Sequence, residues 1–166
     1  MLFRSPGGGR AGHILVDVGP GSFTGIRVGI AAARGLALGW GATVSGYSSL
    51  TLLAAAGLAA RPDLGLLAVV LEAGHGEVFM QPFAARPLTS LTDLASLRPE
   101  AALAALDGRL ALGNGVRFLT ALAPDLVVAE ALPRATDSLL LPVAMTALAP
   151  SPLYGRAPDA KPLAVS

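Results

Sequence analysis

Most of the chemical potential of this 166-residue chain is gathered in one stretch, Gly19-Pro20-Gly21-Ser22-Phe23-Thr24-Gly25-Ile26-Arg27-Val28-Gly29. The short run before it, Ile14-Leu15-Val16-Asp17-Val18, is largely apolar, and its β-branched residues read as a buried strand. Residues 30–38 after it, Ala/Leu-rich, read as a helix once Arg27 to Gly29 are included. A strand, a glycine-rich turn and a helix start, in that order, aim backbone N–H groups at an anion. Two nucleotide-binding motifs fail the test. The Walker pattern requires Lys after its last glycine, and this chain has Ile26, so a P-loop is excluded. The dinucleotide fingerprint requires glycines spaced one and then two apart and an acid about 20 residues on. Here Gly19, Gly21 and Gly25 are spaced one and then three apart, and the acid's place holds Val44-Ser45-Gly46.

The remaining candidates are few. Glu72 and Glu77 flank Gly74-His75-Gly76, and paired carboxylates can divide general-acid and general-base work. At the mouth of a hairpin such residues read first as solvated strand ends. His13 and His75 are far apart and cysteine is absent, which removes thiolate chemistry, a disulfide framework and a dedicated transition-metal site. No catalytic residue, cofactor site or metal site is therefore assigned. Arg27 stands in the first helical turns, where a cation opposes the macrodipole. Asp17, a partner's carboxylate or water would compensate it.

Twelve Lys and Arg face eleven Asp and Glu, for a formal charge of +1, and the basic residues are scattered singly. A nucleic-acid binder concentrates them on one face, so direct nucleic-acid binding is not expected. Residues 35–60 carry no charge and are long enough to cross a bilayer. Gly39, Gly41, Thr43, Ser45, Gly46, Ser48 and Ser49 interrupt that span as loop, strand and cap, and no basic region with an apolar core marks a signal peptide. A soluble, cytoplasmic chain without membrane association is expected.

These residues need elements to hold them. Residues 1–13 have neither helical nor strand period and read as a disordered leader. Residues 14–62 read as strand, helix, strand, helix, with Ser22 or Thr24 capping the first helix, Trp40-Gly41 ending it, a strand at 43–45, and Ser48 or Ser49 capping the second. Arg61-Pro62-Asp63 breaks the chain. Residues 63–150 begin with a strand at 64–71 that turns at Gly74-His75-Gly76 into a return strand at 78–80, a hairpin. A weak strand follows at Pro87-Leu88, a helix from Pro99 to Leu106, a strand at 110–112, a turn at Gly113-Asn114-Gly115 into a helix near Val116, and a strand at 126–128. A last helix is expected from Thr136 or Ser138 to Leu148, with Pro142 near its start. Residues 151–166 read as an irregular tail. In the first helix Gly25, Gly29 and Ala33 recur every four residues, a smooth stripe suited either to packing on the chain's own sheet or to a partner's helix.

The glycine-rich stretch closely resembles the signature of the TsaB (YeaZ) family, the bacterial subunit of the machinery that makes threonylcarbamoyladenosine in tRNA. The resemblance continues through residues 34–39 (Arg-Gly-Leu-Ala-Leu-Gly) and 46–50 (Gly-Tyr-Ser-Ser-Leu). It returns at Glu72-Ala73, at 76–79 and at Pro152-Leu153-Tyr154-Gly155-Arg156. This chain has Glu72-Ala73-Gly74 where the family usually has Asp-Ala-Arg.

The resemblance implies an α/β, ribonuclease H-like fold of the actin-type ATPase (ASKHA) class with two lobes. Family members carry further strands and a helix ahead of the segment matching 14–18. The chain is therefore expected to be an N-terminally truncated member with an incomplete first lobe, leaving one edge of strand 14–18 without a partner. The resemblance also implies a non-catalytic scaffold or activator that pairs with TsaD, the subunit that transfers the threonylcarbamoyl group to adenosine 37 of tRNA, and through TsaD meets TsaE; a homodimer is the other pairing. It places the partner interface at Gly25, Ile26, Gly29 and Ala33 and the signature turn at Gly19, Gly21, Ser22, Thr24 and Arg27. The alternative is an enzyme, an actin-type ATPase or a glycoprotease-like metallopeptidase. A peptidase needs a His-x-x-x-His pair or equivalent, which neither histidine supplies. An ATPase needs acidic phosphate-facing strand turns beyond Asp17.

Overall fold

A computed structural model describes residues 9–155 of the chain; most of the expected leader, and the tail from Arg156 on, lie outside the described residues. Strand β1 (His13–Asp17) runs parallel to β2 (Thr43–Tyr47), with Ile14 opposite Val44 and Val16 opposite Gly46. Helix α1 (Phe23–Trp40) connects them. Its start is fixed by Ser22, whose Oγ accepts from the Gly25 N–H at 3.3 Å, and its end by Gly41 in the left-handed conformation. Helix α2 (Ser49–Ala60) follows, capped by the Ser48 hydroxyl.

Among the described residues the larger sheet has six strands. Strands β3 (Leu66–Gly74) and β4 (Glu77–Ala85) form the expected hairpin, with His75 and Gly76 both at positive φ in the turn. Strand β5 (Leu88–Ser90) extends it beside β4, and β6 (Ala95–Leu97), which the sequence reading missed, pairs the start of β4. Helix α3 (Pro99–Ala105) begins at its proline. Strand β7 (Leu110–Leu112) then runs parallel on β3, α4 (Val116–Thr120) follows, and β8 (Val128–Ala129) runs parallel on β7. The main order is β5-β4-β3-β7-β8.

The expected last helix is corrected by the structure. Residues 136–148 do not form one helix; the segment holds two short 3-10 helices, Ala135–Leu140 and Val143–Thr146. Pro142 is the cause. It lacks the N–H a continuing helix needs, and it forces Leu141 into an extended conformation, φ −74° and ψ 133°.

Alternation along β3 builds a core on both faces of the larger sheet. Leu67, Val69 and Leu71 pack with Leu50, Leu53 and Ala54 of α2. Ala68 and Val70 point the other way, toward Ala102, Leu106, Val116 and Leu119 from α3, its cap and α4. A third cluster, Tyr47, Leu52, Ala55 and Leu141, joins the smaller sheet to the first 3-10 helix across α2. The chain then returns to the smaller sheet. Gly46 and Leu148 exchange backbone hydrogen bonds, and the Leu153 N–H donates to the Val18 carbonyl at 2.7 Å. Among the described residues β1 pairs with β2 alone, and no helix is long and apolar enough to cross a membrane.

Candidate functional site

At the end of β1 the Asp17 carboxylate turns back on its own chain. It accepts from the Gly19 N–H at 2.8 Å and from the Ser49 hydroxyl, which lies 2.7 and 2.8 Å from its two oxygens. Burial raises its pKa above the ordinary carboxylate value, and the bonds from Gly19 and Ser49 pull it part of the way back. The Tyr47 phenol, opposite Asp17 across the sheet, is pushed up to about 12 by burial and then by the Asp17 charge. Gly19 has φ 103°, and a Cβ there would lie 2.6 Å from Ile26 Cδ1 and 3.2 Å from the Leu153 carbonyl. Only glycine fits. The anion that this turn serves is the protein's own Asp17.

The other turn residues divide by role. Ser22 caps α1, whereas Gly21 and Thr24 are exposed. Arg27 is engaged in a way the sequence reading did not include among its choices. Its Nε and Nη2 donate to the Tyr154 hydroxyl at 3.1 and 2.6 Å, and its Cζ lies 3.5 Å from the centre of the Phe23 ring. Asp17 is not its partner. One turn spacing from Phe23 to Arg27 was visible in the sequence; the contact with Tyr154, 127 residues away, needed the fold. Arg34 likewise donates to the Pro150 carbonyl at 2.8 Å. Together the two arginines tie the returning segment to α1.

The four expected interface residues fall on two sides of α1. Ile26 is half-buried, with Cδ1 toward Gly19, and Ala33 is buried beside Ile30 and Ala37. Gly25 is exposed, and a Cβ on Gly29 would meet nothing within 4 Å. Beyond these two glycines the exposed surface of α1 continues through Val28, 61 % exposed, Ala32, Gly35, Leu36, 47 % exposed, and Gly39. It carries no charge. Val28 and Leu36 were not singled out from the sequence, although residues 25, 28, 29, 32 and 36 recur at the three-and-four spacing of one helix side.

The other polar candidates are occupied separately. The Arg117 Nη2 donates to Glu72 Oε2 at 2.6 Å, while Ser96 donates to Glu77 Oε2 at 2.6 Å. The two carboxylates are thus turned to different partners. His13 sits between Thr43 Oγ1, 2.8 Å from Nδ1, and Ser45 Oγ, 3.0 Å from Nε2. This resembles a Ser–His pair, yet Ser45 gives its proton to the Thr146 carbonyl at 2.5 Å. Nε2 must then donate to Ser45 and is not placed to accept that proton. A hollow of about 260 Å³ with mixed polar and apolar walls, lined by Leu58, Pro62, Arg86, Leu88 and Leu140 among others, lies at the far end of α2.

A family profile described as TsaD, tRNA N6-adenosine threonylcarbamoyltransferase, matches residues 10–93, just over half of the chain. The chain belongs to this family. It is 41 % identical over 66 residues to the tRNA threonylcarbamoyladenosine biosynthesis protein TsaB of Bacillus subtilis, a match spanning 40 % of the chain and 28 % of that protein. Its fold is similar to that of YeaZ from Pseudomonas aeruginosa, with a TM-score of 0.70 and 23 % identity over 86 % of the chain and 73 % of YeaZ. A second solved structure, an uncharacterized protein with similarity to peptidase YeaZ from Pseudomonas aeruginosa, gives a TM-score of 0.69 and 26 % identity. That match covers 87 % of the chain and 74 % of the other. The resemblance to TsaB and YeaZ read from the glycine-rich stretch therefore holds, and with it the α/β, actin-like and ribonuclease H-like fold class.

Proposed function

We propose that the chain is a non-catalytic scaffold or activator subunit that pairs with TsaD in the threonylcarbamoyl modification of adenosine 37 of tRNA, in the cytoplasm, meeting TsaE through TsaD. The observation that carries this reading is the exposed side of α1. A helix beside the signature turn keeps Val28 and Leu36 in water with Gly25, Gly29, Ala32 and Gly35 around them, and a contiguous apolar surface of this kind marks a place for another protein. Its closeness to the turn that resembles TsaB ties that surface to the tRNA-modification machinery. The two lobes of this reading span residues 14–62 and 63–150, with α1 on the first. A homodimer through the same surface is the competing assembly.

The enzyme alternative draws on His13 and Ser45, whose hydroxyl is committed elsewhere, and on Asp17, which is spent on Gly19 and Ser49. Neither arrangement offers a free nucleophile or a metal-binding carboxylate pair. The test is co-purification of the chain on tagged TsaD, alongside assays for ATP hydrolysis and peptide cleavage by the chain alone. Retention on TsaD without turnover is expected. ATP turnover above background that disappears in Asp17→Ala would replace the scaffold reading with the ATPase.

A further inference from the structure

Resting on the reading that α1 docks TsaD, we propose that Phe23, Arg27 and Tyr154 form a preformed acceptor for a carboxylate side chain of that partner. The Arg27 guanidinium is already fixed before any partner arrives. Its Cζ lies over the Phe23 ring, 3.5 Å from the ring centre, and two of its N–H groups converge on the Tyr154 hydroxyl. Among the described residues it has no ion pair. Both flanking rings are themselves open to solvent, Phe23 at 61 % and Tyr154 at 51 %. A guanidinium has five donors in a rigid fork; with Nε and one Nη2 hydrogen used, the Nη1 pair and the other Nη2 hydrogen remain. A neutral phenol holds the cation without neutralising it. Its full charge is thus kept for an incoming anion, and the entropy of ordering a long side chain has been met within the fold.

Charge selects the occupant. Between Asp17 and Asp63 the only charged residues are Arg27, Arg34 and Arg61, and Arg61 is matched by Asp63 at 2.9 Å. Arg27 and Arg34 stand seven residues apart, two turns and about 10 Å along one side of α1. They lie along one flank of α1 with the exposed Ala31 and Leu38, each one turn on from an arginine and Leu38 88 % exposed. This flank is cationic and otherwise apolar, while Leu36 stands on the opposite side of the helix. A protein partner that covers an apolar helix surface and offers acidic side chains at its margin fits this pattern. A phosphate backbone fits less well, because the cations are two and the surface between is apolar. Aromatic residues and arginine are also the types that dominate binding energy at interfaces.

The test is titration calorimetry of the full chain with TsaD at low and high salt, for the wild type, Arg27→Glu, Arg27→Lys and Tyr154→Phe, with melting temperatures recorded for each. Arg27→Glu is expected to weaken binding at least tenfold while lowering the melting temperature no more than Tyr154→Phe, which cuts the same tie to the returning segment. Arg27→Lys should fall between, keeping the charge but losing the fork. Tyr154→Phe keeps the ring and removes the oxygen that orients the guanidinium, so it should cost a few-fold and rescue nothing in the Glu variant. Replacing one acidic residue of TsaD by lysine should restore binding to Arg27→Glu. Binding of Arg27→Glu within twofold of the wild type, while Gly29→Leu loses tenfold, would leave the docking surface standing and sink the carboxylate acceptor. Failure of the wild type to bind TsaD would remove the functional reading and this inference with it. Inorganic phosphate or tRNA that binds the free chain and loses affinity in Arg27→Glu would give the site to a phosphate and overturn the proposal.

Discussion

Helices α1 and α2 follow one another in the chain and share an Ala/Leu-rich composition, yet they meet opposite surroundings. Three of the 18 residues of α1 are buried, Ile30, Ala33 and Ala37. Six of the 12 residues of α2 are buried, and they point in more than one direction. Leu50, Leu53 and Ala54 face β3 and its neighbours, while Leu52 and Ala55 meet Tyr47 and Leu141. A helix that is apolar all round belongs between two layers, and α2 lies there. Helix α1 covers a sheet of two strands, and among the described residues a Cβ on Gly29 meets nothing while Val28 and Leu36 stay exposed. The same residue types thus build a core in one helix and a surface in the other. Packing among the described residues does not account for the apolar residues on the outside of α1, and the functional reading rests on them.

The largest effects should come from breaking the α2 side of this contrast. Leu53→Ala opens a cavity under the larger sheet and is expected to cost about 2–5 kcal/mol, read by urea denaturation. Leu36→Ala on α1 should stay within about 0.5 kcal/mol. Equal losses in the two variants would mean that α1 is as deeply packed as α2.

Next in size is the joint between the two helices, where Asp17 of β1 holds Ser49 at the start of α2. Asp17→Ala leaves the Gly19 N–H and the Ser49 hydroxyl without their acceptor and should destabilise by about 1–3 kcal/mol. Asp17→Asn can keep both bonds and should be far milder. The pH dependence separates them further. Burial raises the Asp17 pKa above its ordinary 3.8, so the folded chain keeps this proton to a higher pH than the unfolded chain. Its contribution to stability is therefore full below the unfolded value and is lost as pH rises through the raised one. Melting scans from pH 3 upward, about the range of an ordinary carboxylate, should show Asp17→Asn gaining on the wild type as pH rises. A wild type that instead gains on Asp17→Asn would reverse the assigned shift.

The smallest effect on stability and the most informative for function is Gly29→Leu. Open space surrounds a side chain there, and leaving out a helical glycine favours the helix by roughly 0.5–1 kcal/mol. Melting temperature should hold or rise slightly while TsaD binding weakens by more than tenfold, about 1.4 kcal/mol. A marked fall in melting temperature would place Gly29 in the interior and remove the contrast with α2.

Much of this arrangement could be read from local chemistry. Serine caps at 22 and 48, the αL glycine at 41, the hairpin at His75 and the proline that opens α3 all act within a few residues, so the sequence shows them. Strand β6 escaped because three residues of mixed character, Ala95-Ser96-Leu97, have no period to detect; their place is set by pairing with Val78 to Met80. The last helix is overextended in the sequence because a proline near a helix start is tolerated, whereas the hold of Pro142 on Leu141 splits the segment in two. At the site, the turn was legible but its anion was not. Nothing local says that Asp17 will fill it, since Ser49 and Gly19 converge only once β1 and β2 pair. Tyr154 was visible as part of a motif and silent about Arg27.

Hydrogen exchange of the full chain with and without TsaD tests the central claim most directly. The account predicts slowed exchange along α1 from about Phe23 to Trp40 on adding TsaD, in the wild type and not in Gly29→Leu, with β3, β4 and α2 unchanged. Protection confined to the larger sheet, or none at a TsaD concentration that saturates the complex, would contradict it.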